Sequence, residues 1–177
     1  MRLFVGIDLP WELREELVRL RTSLPGARWA PEKNLHLTLR FIGEVDPNAA
    51  EDIDVALHCL RGKRFPLTLS GIGTQSRAGR ETTMWAGVEK SRALEHLQAK
   101  VETALQRAGR KPERRRFLPH VTLARLDNLI DGRLAAYVQA HNLFRTKPVD
   151  IDHVTLFSSQ LGKEASVYTA EVNYQLG

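Results

Sequence analysis

The 177 residues amount to roughly 1.2 times the ~150 of an average domain, which favours one domain or two small lobes sharing a surface and excludes a multidomain machine. With 42% hydrophobic and 27% charged residues, the composition excludes the disordered and collagen-like classes and supplies a core. A net charge of +5 and a pI near 9.7 are compatible with a phosphate-bearing partner without demanding one. No apolar run forms a secretory h-region or reaches the ~20 residues of a membrane span. The single Cys59 permits no internal disulfide and no Cys/His zinc spacing is present, so a reducing, cytoplasmic setting is expected.

Leu3 to Asp8 is expected as a buried strand, followed by a helix that Pro10 opens and Pro25-Gly26 stops, with Leu13, Leu17, Leu20 and Leu24 on one stripe. A strand from Leu35 to Ile42, a helix near Asn48 to Leu60 and a strand from Phe65 to Ser70 come next. Gly71 to Glu81, rich in Gly, Ser, Thr and Arg, is expected as a mobile link. The pattern then restarts with a strand from Met84 to Glu89 and a helix N-capped by Ser91, carrying Leu94, Leu97, Val101 and Leu105 on one face and closed by Gly109. A strand from Phe117 to Leu126, a helix from about Leu129 to Ala140, and strands near Val149 to Ser158 and Ser166 to Tyr174 complete the chain.

Two offsets describe the restart: Gly6 in FVGID and Gly87 in WAGVE are 81 residues apart, and His36 and His120 are 84 apart. Strand, helix, connection and His-bearing strand recur in that order, as a duplicated unit would leave them. The expectation is a single two-lobed domain with repeats at approximately 1–73 and 82–177.

Three of the six histidines open a His-x-Thr-x tetrapeptide, at His36, His120 and His153. Alternate strand residues share a face, so His36 and Thr38 point opposite to Leu35, Leu37 and Leu39, and His120 and Thr122 opposite to Val121 and Leu123. A pseudo-two-fold axis would bring both polar faces into one cleft. Imidazole, with an unperturbed pKa near ~6.5, serves as base or acid at neutral pH, and threonine hydroxyls hydrogen-bond phosphoryl oxygens. Two histidines and two hydroxyls about one centre suit in-line phosphodiester cleavage without a metal or cofactor. Threonine, in place of a second ligand, two residues after each histidine disfavours a metallohydrolase. His153 lies in the strand that duplication pairs with Phe65 to Ser70, where the first half has Leu67-Thr68-Leu69 and no histidine, so it reads as a polar strand residue; His58, His96 and His141 read as surface residues.

The segments RLFVGIDLP, NLHLTLRFIGEV and RRFLPHVTLARL, together with the late VTLFSSQL and Val167-Tyr168, resemble the two-histidine (2H) phosphoesterases. More closely, the chain resembles their RNA 2′,3′-cyclic phosphodiesterase branch, historically called 2′-5′ RNA ligase. The resemblance implies a bilobal α+β fold, with two antiparallel sheets facing a central cleft and helices outside. It implies that His36 gives a proton to the departing ribose 3′ oxygen, that His120 accepts one from water, and that Thr38 and Thr122 steady the phosphate. A 2′-phosphomonoester is then the product; spacing alone leaves the two histidine roles interchangeable.

Arg125 corresponds to an arginine the family uses near the phosphate, although strand parity sets it with Val121 and Leu123, so reaching the cleft requires a bulge, a twist or the strand's end. Phe41 could stack on a base or equally lie on the core face with Leu37 and Leu39. Arg114, Arg115 and Arg116 belong to a run of six basic residues between Arg107 and Arg116 that an RNA backbone could use, or that forms a solvated loop. The expected partner is RNA or a nucleotide with a 2′,3′-cyclic phosphate end, acted on by a monomer. Alternatives are reversible 2′-5′ RNA ligation, hydrolysis of ADP-ribose 1″,2″-cyclic phosphate, and an RNA-binding module with little catalysis.

Overall fold

The computed structural model describes residues 1–127 and 132–177, and the described residues form four α-helices and ten strands. In order they are β1 (Arg2–Asp8), α1 (Trp11–Val18), β2 (Ala27–Trp29), β3 (His36–Glu44), α2 (Pro47–His58), β4 (Phe65–Leu67), β5 (Leu69–Arg77), β6 (Arg80–Val88), α3 (Arg92–Arg107), β7 (His120–Leu126), α4 (Arg133–Ala140), β8 (Val149–Ile151), β9 (His153–Gln160) and β10 (Val167–Gln175). The start expected for the last helix, at Leu129, lies outside the described residues.

The α+β architecture follows from faces. Ser91 caps α3 by accepting from the Leu94 N–H at 3.1 Å, and Gly109 at φ +82° ends the segment. The α3 stripe of Leu94, Leu97, Val101 and Leu105 packs into one core with Leu13 and Leu17 of α1, Ile53 and Leu57 of α2, and Leu3, Val5 and Ile7 of β1. Each such leucine or valine taken from water contributes about 1.5–3 kcal/mol. Helix α1 is shorter than its leucine stripe suggests. Leu20 and Leu24 are buried, but beyond Val18 the backbone tightens, with Leu20 N–H bonding the Leu17 carbonyl and Arg21 N–H that of Val18. The periodicity recorded burial and not helix.

All strand pairs are antiparallel. One arm runs β10-β9-β1-β3 and the other β7-β6-β5 with β2 beside β7, and a single pairing, Leu37 with Val121, joins them into one eight-stranded sheet. Each arm borrows from the other end of the chain: β9 and β10 extend the β1-β3 arm, while β2 and β5 extend the β6-β7 arm. A small second sheet pairs β4 with β8. The partners Leu37 and Val121, and likewise Pro66 and Asp150, are 84 residues apart, as are His36 and His120, so one approximate two-fold relation passes through both contacts.

Register corrects the glycine offset. Gly6 lies opposite Thr38 whereas Gly87 lies opposite His120, so Gly6 corresponds to Trp85, which faces Thr122. The expected mobile link from Gly71 to Glu81 is instead the β5-β6 hairpin, turning at Ala78 and Gly79 with φ of 52° and 77°. Two consecutive positive φ values give the twist a tight hairpin requires. The predicted strand at Phe117 begins only at His120, because Pro119 withholds a ladder donor. Among the described residues, no helix is long and apolar enough to cross a membrane.

Candidate active site

His36 opens β3 and His120 opens β7, on either side of the Leu37–Val121 pairing. Antiparallel geometry at that pair sets His36 beside Thr122 and Thr38 beside His120. The two tetrapeptides therefore meet head to tail about one centre.

Both rings are oriented the same way. His36 Nδ1 lies 2.7 Å from the Asn34 carbonyl and His120 Nδ1 lies 2.7 Å from the Leu118 carbonyl. A carbonyl only accepts, so each Nδ1 carries the proton and each Nε2 is left for chemistry. The His36 Nε2 accepts from the Thr38 hydroxyl at 2.9 Å.

The surroundings of the two rings differ. His36 sits among Phe4, Tyr168 and Phe157, with ring centroids 4.8, 5.1 and 5.8 Å away, and Tyr168 stands edge-on. Burial among these rings pushes the His36 pKa below 6.5, and the charge of His120 pushes the same way; the Asn34 carbonyl and Asp8 oppose them without prevailing. Asp8 lies opposite His36 in the β1-β3 ladder and is ion-paired with Arg14. Among the described residues, the aromatic neighbour of His120 is Trp85, at 6.0 Å. A Cβ at Gly73 would come within 2.3 Å of the Trp85 ring, so the absence of a side chain there lets Trp85 lie across the sheet.

Bulges settle the orientation of Phe41 and Arg125. In β1, Val5 pairs with Arg40 and Gly6 with Thr38, which leaves Leu39 as an extra residue; in β6, Met84 pairs with Ala124 and Trp85 with Thr122, which leaves Leu123 extra. Each insertion reverses the parity downstream. Phe41 thus joins the His36 and Thr38 face, 59% exposed and 5.9 Å from Phe4, and is not a core aromatic. Arg125 joins the His120 and Thr122 face and is exposed. The two stand 84 residues apart, at matching places in the two arms.

Arg114, Arg115 and Arg116 are exposed on the loop between α3 and β7, and Arg115 is turned onto Glu113, whose carboxyl is held down to about 2. The loop is clamped from below. Buried Arg40 bonds the carbonyls of Lys111 and Phe41 and the Glu102 carboxylate, and Glu102 also accepts from the Glu113 N–H at 2.9 Å. His153 sits at the start of β9 and bonds Asp152 at 2.6 Å.

Sequence reasoning did not single out Phe4, Phe157, Tyr168 and Trp85 as site residues. Their signal was indirect: Tyr168 and Phe157 stood in segments carrying the family resemblance, and Trp85 stood two residues before Gly87. Their approach to the histidines depends on cross-strand register, which a linear pattern does not contain.

Comparison with known proteins agrees with this geometry. The family model described as 2′-5′ RNA ligase superfamily matches residues 9–163. An RNA 2′,3′-cyclic phosphodiesterase of Aeropyrum pernix is 32% identical over 86% of this chain and 90% of that protein, and one from Thermotoga maritima is 30% identical over 95% and 91%. The structure of Escherichia coli LigT complexed with 3′-AMP superposes with a TM-score of 0.80 at 27% identity, covering 99% of this chain and 97% of that one. Two histidine-threonine pairs on matched strands, in a chain matched over most of its length, make this protein a member of the 2′-5′ RNA ligase superfamily.

Proposed function

We propose that the protein is an RNA 2′,3′-cyclic phosphodiesterase that opens cyclic phosphate ends to 2′-phosphomonoesters by general acid/base catalysis. The observation that carries the reading is the head-to-tail meeting of the two His-x-Thr-x strands, with both Nδ1 atoms tied to carbonyls, so that Nε2 is the catalytic nitrogen of each ring, the His36 one exchanging its Thr38 hydroxyl for substrate. Relatives named for this activity support it.

Water attacks phosphorus as His120 Nε2 takes its proton. The P–O3′ bond breaks, and protonated His36 Nε2 donates to the departing O3′, leaving the phosphate on O2′. His120 ends protonated and His36 neutral, and exchange with solvent resets both. Thr38 and Thr122 hydrogen-bond the non-bridging oxygens, and Arg125 neutralises charge that builds on them. Burial lowers the His36 pKa, and the negative charge of the bound phosphate raises it again for donation. Phe41 stacks on the terminal base, and Arg114, Arg115 and Arg116 attract the strand through their charge. We assign the work to a cytoplasmic monomer, and the two arms to duplication of one unit with repeats near 1–73 and 82–177.

Incubating chelator-treated protein with uridine 2′,3′-cyclic phosphate and identifying the product by ³¹P NMR tests the reading. Uridine 2′-phosphate is expected; uridine 3′-phosphate would overturn the assignment of O3′ as leaving group, and no turnover would overturn the activity. ADP-ribose 1″,2″-cyclic phosphate as a competing substrate, and a 5′-hydroxyl RNA as an acceptor in place of water, separate the alternative chemistries.

A further inference from the structure

We propose that Arg28 on β2, beside Arg125 on β7, adds a second phosphate subsite, which takes the backbone phosphodiester next to the reacting end of an RNA chain, with Arg125 standing between that phosphodiester and the reacting phosphate. The proposal rests on the RNA reading above and extends it from a terminal nucleotide to a strand.

Arg28 and Arg125 are directly opposed in the β2-β7 ladder, and both are exposed. Residues so placed project from one face with Cβ atoms ~4.5–5.5 Å apart, where like charges repel and destabilise the sheet. Two guanidiniums there make sense as a grip on an anion. Strand β6 fixes which face they occupy: Thr83 lies opposite Arg125 and Trp85 opposite Thr122, and because Thr83 and Trp85 are two residues apart, Thr122 and Arg125 share the face of His120. On that face Arg125 lies beyond Thr122 along β7, and Arg28 lies beside Arg125 on the neighbouring strand.

The outer arginine is held in place. Strand β2 is bracketed by the Ala30 N–H on the Leu123 carbonyl at 2.8 Å and the Asp127 N–H on the Gly26 carbonyl at 2.7 Å. Arg28 Nε is ion-paired with the Asp127 carboxylate, with the two side chains 60% and 51% exposed. That bond uses one edge of the guanidinium and leaves further N–H donors for phosphate. Arg125 makes no ion pair with a described residue. The matching place on the other arm carries Phe41, so the face is cationic at one end and aromatic at the other. A terminal base toward Phe41 and the preceding backbone toward Arg28 is the polarity this arrangement selects.

Steady-state kinetics with uridine 2′,3′-cyclic phosphate and with an oligouridylate ending in a 2′,3′-cyclic phosphate test the subsite, using wild type, Arg28→Gln and Asp127→Asn. Arg28→Gln should lower the ratio of kcat/KM for oligomer over mononucleotide about tenfold, through KM, as loss of a charged hydrogen bond does. It should also flatten the dependence of log KM on log salt by about one unit. Asp127→Asn removes the ion pair but keeps the cation, and should leave the ratio undiminished. A ratio unchanged by Arg28→Gln, or lowered equally by both substitutions, would overturn the proposal. Wild-type turnover of the mononucleotide tests the phosphodiesterase reading separately. Should turnover be absent, fluorescence anisotropy with a 3′-phosphorylated oligouridylate still decides the subsite: Arg28→Gln weakens binding about tenfold, and equal binding refutes it.

Discussion

Replacing Glu102 with alanine should cost about 3–5 kcal/mol of folding stability, the penalty for leaving a buried charge without its partner. Arg40 and Glu102 have side chains only 8% and 16% exposed and meet at 2.6 Å. The carboxylate also accepts from exposed Gln106 at 3.0 Å and from the part-buried Glu113 N–H at 2.9 Å, so its loss leaves the buried Arg40 charge unpaired and the Glu113 N–H without its acceptor. Burial pushes the Glu102 carboxyl up, yet the bonds from Glu113, Gln106 and Arg40 outweigh it and hold the group below 4.5. A folded value below the unfolded one stabilises the protein above about pH 4.5, and that stability is lost as pH falls through the folded value. Urea denaturation is the assay. With a slope of ~2 kcal/mol/M, the midpoint should drop by about 2 M, and the unfolding constant should rise by roughly two to three and a half decades. Arg40→Met with Glu102→Leu should recover most of the stability while leaving the Lys111 and Phe41 carbonyls unbonded, so protease should cut the arginine-rich loop faster than in wild type. A loss under about 1 kcal/mol for Glu102→Ala, the behaviour of an exposed pair, would refute the reasoning.

Because its aromatic cage lowers the His36 pKa, the contribution of that group to stability is complete above about pH 6.5 and is lost as pH falls below it. As the acid, His36 must be protonated, so the alkaline limb of kcat/KM should lie below pH 6.5 and that of kcat at higher pH once phosphate is bound; coincident limbs above pH 6.5 would contradict this. Gly73→Ala drives a Cβ into the Trp85 ring, and should shift tryptophan emission and slow turnover at the His120 side; unchanged emission would mean that Trp85 does not need the gap. Phe41→Ala removes an exposed ring and should change stability by no more than about 0.5 kcal/mol while raising KM; a large stability loss with unchanged KM would return Phe41 to a packing role.

Helix α3 was legible because Ser91, the Leu94 to Leu105 stripe and Gly109 agree on one element. The histidine strands were legible because His and Thr alternate with Leu and Val. Bulges defeated that same alternation. An extra Leu39 or Leu123 leaves composition and local propensity unchanged, and yet it turns Phe41 and Arg125 from the core face to the histidine face. The hairpin at Ala78-Gly79 read as a loop because its strands are short of large β-branched residues and gain their order from neighbours. Which arm each strand joins was also hidden, since β9 pairs with β1 across nearly the whole chain.

The most direct test of the central claim is hydrolysis of uridine 2′,3′-cyclic phosphate in excess chelator by wild type, His36→Ala and His120→Ala, each shown by thermal melting to be folded. The account predicts turnover by wild type and a loss of at least about 10²-fold in kcat for either substitution. Wild-type rates retained by either variant would contradict it.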